Sequence, residues 1–162
     1  MSDERPLRSI PAVRIDVGDE QLRAVGHVAL QWALLEAEID REIVWLSVGA
    51  ENPQNLGAKF EDRVQGWQRL ATDRMSDRPD LIEDVKVISE QALAIKVERD
   101  KLIHSHLSTS GMILRVRRGE LLEVLDKGTA PQLEDLACRI SEITSQLFQH
   151  LMLVARAFDA PF

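Results

Sequence analysis

The sequence predicts an all-α protein, an antiparallel four-helix bundle with a small β-hairpin between its third and fourth helices. Three observations lead there. Apolar residues recur at alternating steps of three and four over four separate stretches, the period of helices that bury one face. The breaks between those stretches carry Gly, Pro, Ser or Asn, which interrupt helices. The chain, 162 residues with 44% hydrophobic and 29% charged content, has the size of one domain with one continuous core. It divides into an N-terminal arm, residues 1–17, and a single helical domain, residues 18–162.

The arm holds Pro6 and Pro11 and shows no helical period. From about Gly18, the positions Val25, Val28, Trp32, Leu35, Ile39, Ile43 and Leu46 mark one long amphipathic helix. Gly49 to Asn55, with Pro53 inside, is a break. Leu56 through Met75 resumes the period through Phe60, Val64, Trp67 and Leu70. After a turn at Asp77 to Pro79, a third helix follows Leu81, Val85, Ile88, Ala92 and Ile95 and runs to about His104. Ser105 to Gly111 offers side-chain hydrogen bonds that compete with a helix. Met112 to Arg117 and Glu120 to Leu125 then form two short runs around Arg118 and Gly119, the predicted hairpin. Thr129 caps a fourth helix with Pro131 in its first turn, whose inner face runs Leu133, Leu136, Ile140, Ile143, Leu147, His150, Leu151, Val154 and Phe158.

Composition removes several function classes. A lone Cys138 cannot close an intrachain disulfide, and the charged start lacks the apolar stretch of a signal peptide, so the expected location is cytoplasmic. No stretch approaches the roughly 20 apolar residues of a membrane span. The net charge of -7 disfavours general attraction to phosphates, so a nucleic-acid role needs a local basic site. No Gly-rich phosphate loop, nucleophile elbow or paired-carboxylate signature occurs, and neither a cofactor nor a metal is expected. His150 reads as a hydrogen-bonded core histidine, Cys138 as a small buried hydrophobe, and Trp32, Trp45 and Trp67 as core.

One residue breaks the third helix's own rule. Extending the stripe 81, 85, 88, 92, 95 by the same step reaches position 99, where an apolar side chain is due and Arg99 stands. A guanidinium cannot shed its proton, so on a core seam it requires a carboxylate, a phosphate or a water-filled cleft. Asp100 and His104 lie one turn apart and share a face, so that the carboxylate can orient the imidazole. Residues 96 to 118 carry six cations (Lys96, Arg99, Lys101, Arg115, Arg117 and Arg118) against Glu98 and Asp100, a net of +4 that leaves -11 on the remainder of the chain. That segment is where the sequence concentrates positive charge.

Arg99-Asp100 followed by His104, with His106 two residues on, resembles the motif of the HEPN (higher eukaryotes and prokaryotes nucleotide-binding) domains. These are α-helical bundles in which an Arg precedes a His by four to six positions near the end of a late helix. The long first helix with Trp32, and Glu36 a turn later, is similar in layout. The resemblance implies a metal-independent endoribonuclease of a toxin or defence type, working as a homodimer on RNA, with an antitoxin or nucleotidyltransferase as further partner. It assigns proton transfer to His104 and the scissile phosphate to Arg99, with Asp100 and His106 in support. An imidazole that titrates near neutrality and a planar two-donor guanidinium suit those roles. Glu36 is expected to hold Arg99 in the free protein, and Lys101, Arg115, Arg117 and Arg118 to contact the RNA backbone. The rival reading is a non-catalytic helical interaction or nucleotide-binding module in which Arg99 belongs to a structural ion-pair network.

Overall fold

A computed structural model describes residues 18–48, 59–103, 106–107, 113–117, 120–125 and 129–158. Four helices make up most of it: α1 (Asp19–Ser47), α2 (Phe60–Arg74), α3 (Pro79–Ile103) and α4 (Ala130–Ala157). Between α3 and α4 the backbone is extended over β1 (His106–Leu107), β2 (Ile113–Arg117) and β3 (Glu120–Leu125), paired antiparallel in the order β1-β2-β3. The expected start of the second helix at Leu56 lies outside the described residues.

Each helix buries the stripe its period dictates. α1 turns Ala24, Val28, Trp32, Leu35, Ile39, Ile43 and Leu46 inward. α2 contributes Phe60, Val64, Trp67, Leu70 and Ala71, α3 Leu81, Val85, Ile88, Ala92 and Ile95, and α4 the run from Leu133 to Val154. The stripes merge into one cluster around a fully buried Trp67, and removing that apolar area from water is what holds the helices together. Local chemistry fixes the ends. Asp19 and Glu20 sit in the first turn of α1, where negative charge suits the exposed amides. At the start of α4 the backbone N–H of Thr129 donates to Gln132 Oε1 at 3.3 Å, half of a capping box. Arg74 donates from Nη2 to the carbonyl of Val48 at 3.0 Å, so α2 caps the C-terminal end of α1.

The helices form a bundle, but its directions differ from the expected alternation. His27 meets Glu134 at 2.7 Å near the starts of α1 and α4, and Glu42 meets His150 at 3.0 Å near their ends, so these two helices run in parallel. α1 and α2 are parallel too, because Trp32 lies 4.7 Å from Phe60, Asp40 2.8 Å from Arg63, and Val48 3.0 Å from Arg74. Only α3 runs the other way. Its late Lys96 reaches the early Glu61 of α2 at 2.8 Å, and its late Glu98 reaches the early Arg139 of α4 at 2.8 Å. The antiparallel expectation took each break as a tight reversal. Ten residues lie between Val48 and Lys59, and ten extended residues reach up to about 33 Å at about 3.3 Å per residue, more than the roughly 24 Å of helix between positions 32 and 48.

Three expected core positions also face outward. Val25, Phe158 and Cys138 are exposed, because α1 and α4 each bury a band centred slightly away from them. Trp45 is half-buried, whereas Trp32 and Trp67 are core. No described helix is long and apolar enough to cross a membrane.

Candidate functional site

The stripe of α3 carries Arg99 towards α1, one turn before the helix ends at Ile103. Its guanidinium carbon stands 4.9 Å from the centroid of the Trp32 ring, a cation over an aromatic face. Trp32 is in turn tilted against Phe60 at 4.7 Å. The Arg99 side chain keeps 23% of its surface in water. Helical geometry explains the placement: a long side chain leans back along its own helix, so the aliphatic stem covers the seam while the head reaches the rim.

Arg99 donates from Nη1 to Asp100 Oδ1 at 2.9 Å. The other oxygen of Asp100 accepts from Lys96, one turn back on the same helix. Lys96 also reaches Glu61 of α2 at 2.8 Å. Burial pushes the Asp100 carboxyl up, but the bonds and charges of Lys96 and Arg99 outweigh it and hold the group below its ordinary value. The bond from Lys96 likewise holds Glu61 down, and Asp100 and then Glu61 raise the ammonium of Lys96. Arg99 Nε is buried without a hydrogen-bond partner among the described residues.

Glu36 does not hold Arg99. It accepts from Arg63 of α2, which also donates to Asp40 at 2.8 and 3.1 Å. Arg63 lies one turn after Phe60, with its guanidinium carbon 5.9 Å from that ring, and so fills the place beside Glu36 that the sequence reading gave to Arg99. The two networks share the Trp32–Phe60 pair as a floor. Together they set Arg63, Lys96 and Arg99 against Glu36, Asp40, Glu61 and Asp100, three cations to four carboxylates. The positive segment of the sequence is therefore answered at its α3 end by Glu61 of α2 and by Asp100 of α3 itself.

The remaining expected site residues divide as follows. Lys101 is exposed on the last turn of α3. His104 and Arg118 lie outside the described residues, as do the side chains of His106, Arg115 and Arg117. Sequence reasoning missed Arg63 and Glu61. Lys96–Asp100 was legible as a spacing of four along one helix, whereas Arg63 and Glu61 enter only through the packing of α2.

A second polar centre lies deep in the bundle. The Nε2 of His150 stands 3.0 Å from the carbonyl of Leu81, and Nδ1 faces the carboxylate of Glu42, 3.0 Å from Oε1 and 3.2 Å from Oε2, with only the latter in hydrogen-bonding direction. Glu42 is 0% and His150 2% exposed. Burial alone would lower the imidazole pKa, but the bond and charge of Glu42, the Leu81 carbonyl and the field of Asp84 raise it overall. No group of three or more His, Cys, Asp or Glu among the described residues is placed to hold a metal. Comparison with known proteins finds no matching family model, no matching curated protein and no matching solved structure.

Proposed function

We propose that the chain is a non-catalytic helical interaction module whose Arg99 network is structural. The observation that carries this reading is the closure of the site on itself. Asp100 accepts from both Lys96 and Arg99 of its own helix, Lys96 bridges to Glu61 of α2, and Glu36 of α1 is taken by Arg63 of α2, so the carboxylates that would serve catalysis are already engaged in ion pairs. An ion pair that bridges helices fixes their relative register more than it adds stability. A second reading, the metal-independent endoribonuclease that the Arg99–His104 spacing suggests, is favoured by one feature: the guanidinium stands over the Trp32 ring on a side chain partly open to water, and donates to Asp100 from Nη1. In that reading Arg115, Arg117 and Arg118 contact the RNA backbone.

Incubation with single-stranded RNA in the presence of a chelator separates the two. The structural reading expects no cleavage. It expects Arg99→Ala to cost about 1 kcal/mol through lost stacking and stem packing, a fall in Tm of roughly 2–4 °C for a domain of this size. Cleavage by the wild-type chain that both Arg99→Ala and His104→Ala abolish, while each variant stays folded, overturns it.

A further inference from the structure

The apolar stripes of this bundle do not choose its directions. α1 and α4 pack more extensively against each other than any other two helices, and their inner faces are mostly aliphatic. Such faces can meet running either way. Residues 104–129, between α3 and α4, form a connection far longer than a tight reversal, so connectivity does not dictate the direction of α4.

Two buried polar groups do not share that indifference. Glu42 of α1 and His150 of α4, both withdrawn from water, meet at 3.0 Å, and the imidazole also bonds the carbonyl of Leu81, in the first turn of α3, at 3.0 Å. The pair at the other end of the same two helices, His27–Glu134, keeps 38% and 41% of its side chains in water and loses little when parted.

Reversing α4 separates the buried pair. His27 is level with Glu134 and Glu42 with His150, so α4 turned end for end in place carries His150 to the level of His27, roughly 22 Å along α1 from Glu42. Each group is then buried without the other. Sliding the reversed α4 until they meet again strips the core instead: position 145 comes opposite Ser47, and Leu133, Leu136, Ile140 and Ile143 lie past the end of α1. Neither reversed arrangement keeps both the pair and the core. An unpaired buried charge disfavours a state by roughly two to four orders of magnitude.

We propose that the Glu42–His150 pair is a direction-setting device. It selects the parallel run of α1 and α4, and through the Leu81 carbonyl the opposite run of α3, from among bundles that the apolar stripes alone support. Its contribution is to the uniqueness of the fold more than to its stability, as with a polar residue that fixes the register of a coiled coil. The role is independent of how Arg99 is used, since Arg99 stands at the opposite end of α3 from Leu81.

Cross-linking reads the direction in the full chain carrying C138S, so that the introduced thiols are the only ones. H27C/E134C sets two thiols side by side when α1 and α4 are parallel. Met152 lies five turns after Glu134 on the same face of α4, so H27C/M152C does so only when α4 is reversed; in the structure these positions are roughly 27 Å apart along the helices. With Glu42 and His150 present, a short thiol-reactive cross-linker in dilute solution is expected to close the first pair alone. In E42L/H150L, with the helical circular dichroism of the wild type, both pairs are expected to close. Closure of the 27–134 pair alone in E42L/H150L overturns the proposal. Loss of helical circular dichroism in that variant overturns it too, because the stripes then support no bundle without the pair.

Discussion

Removing the imidazole of His150 alone strands a carboxylate in the bundle core. The Leu81 carbonyl only accepts, so Nε2 carries a proton, and Nδ1 shares one more with Glu42. In His150→Leu the volume is roughly kept, but Glu42, fully buried, loses its partner. An uncompensated buried charge costs about 3–5 kcal/mol. At roughly 2–4 °C per kcal/mol for a domain of this size, the Tm falls by roughly 6–20 °C. Replacing both groups, Glu42→Leu with His150→Leu, exchanges the pair for apolar packing and is expected to recover most of that loss. Urea titrations of the two single variants and the double, followed by circular dichroism, measure the coupling. Additivity to within about 0.5 kcal/mol would refute the reasoning, because uncoupled sites behave that way. The pH dependence gives a second readout. The His150 pKa is raised in the folded state, so its stabilisation is fully present below the unfolded value and is lost as pH rises through the folded one. Wild-type stability therefore steps down from mildly acidic towards alkaline pH, and His150→Leu removes that step.

Other variants test the rest of the fold. Asp100 is held below its ordinary value, so its contribution is present above the unfolded pKa and is lost as pH falls through the folded one; Asp100→Asn is expected to lower stability at neutral pH and flatten the acid limb of a denaturation series. Arg63→Ala removes the cation between Glu36 and Asp40, both partly exposed, and is expected to cost about 0.5–1 kcal/mol, an effect that shrinks in high salt when measured by urea titration. Leu147→Ala opens a cavity at a fully buried position in α4 and is expected to cost about 2–5 kcal/mol in the same titration.

The helices were legible because periodicity is a local property. Val64, Trp67, Ile88 and Ile140 are buried where their steps of three and four place them. Direction was not legible. An apolar stripe says which face is buried but not whether its neighbour runs up or down, and the parallel pairing of α1 with α4 rests on His27–Glu134 and Glu42–His150, contacts 107 and 108 residues apart in the chain. Edge positions were misread for a related reason. Val25 continues the spacing of α1, yet the inner face is narrower than the apolar face, because α1 is apolar on its outer side as well. A period alone cannot separate one wide stripe from two.

The site shows the same limit in electrostatic form. Position 99 was identifiable as a charge on an apolar seam, and its neighbour Asp100 as a carboxylate beside it. At the α3 end of residues 96 to 118 the positive charge is met by acids, because charge summed along a chain omits what other elements bring. Glu61 arrives from α2 to meet Lys96, and Arg63 draws Glu36 away from Arg99. Each of these pairings depends on α2 running parallel to α1, which sets Phe60 beside Trp32 and Arg63 beside Glu36 and Asp40. In an antiparallel arrangement the start of α2 would lie near Val48, and Glu36 would be left to the Arg99 side of the bundle. The helix directions therefore decide the chemistry at Arg99: the same residues that an alternating bundle leaves open for an anion are, in this one, closed by carboxylates of its own.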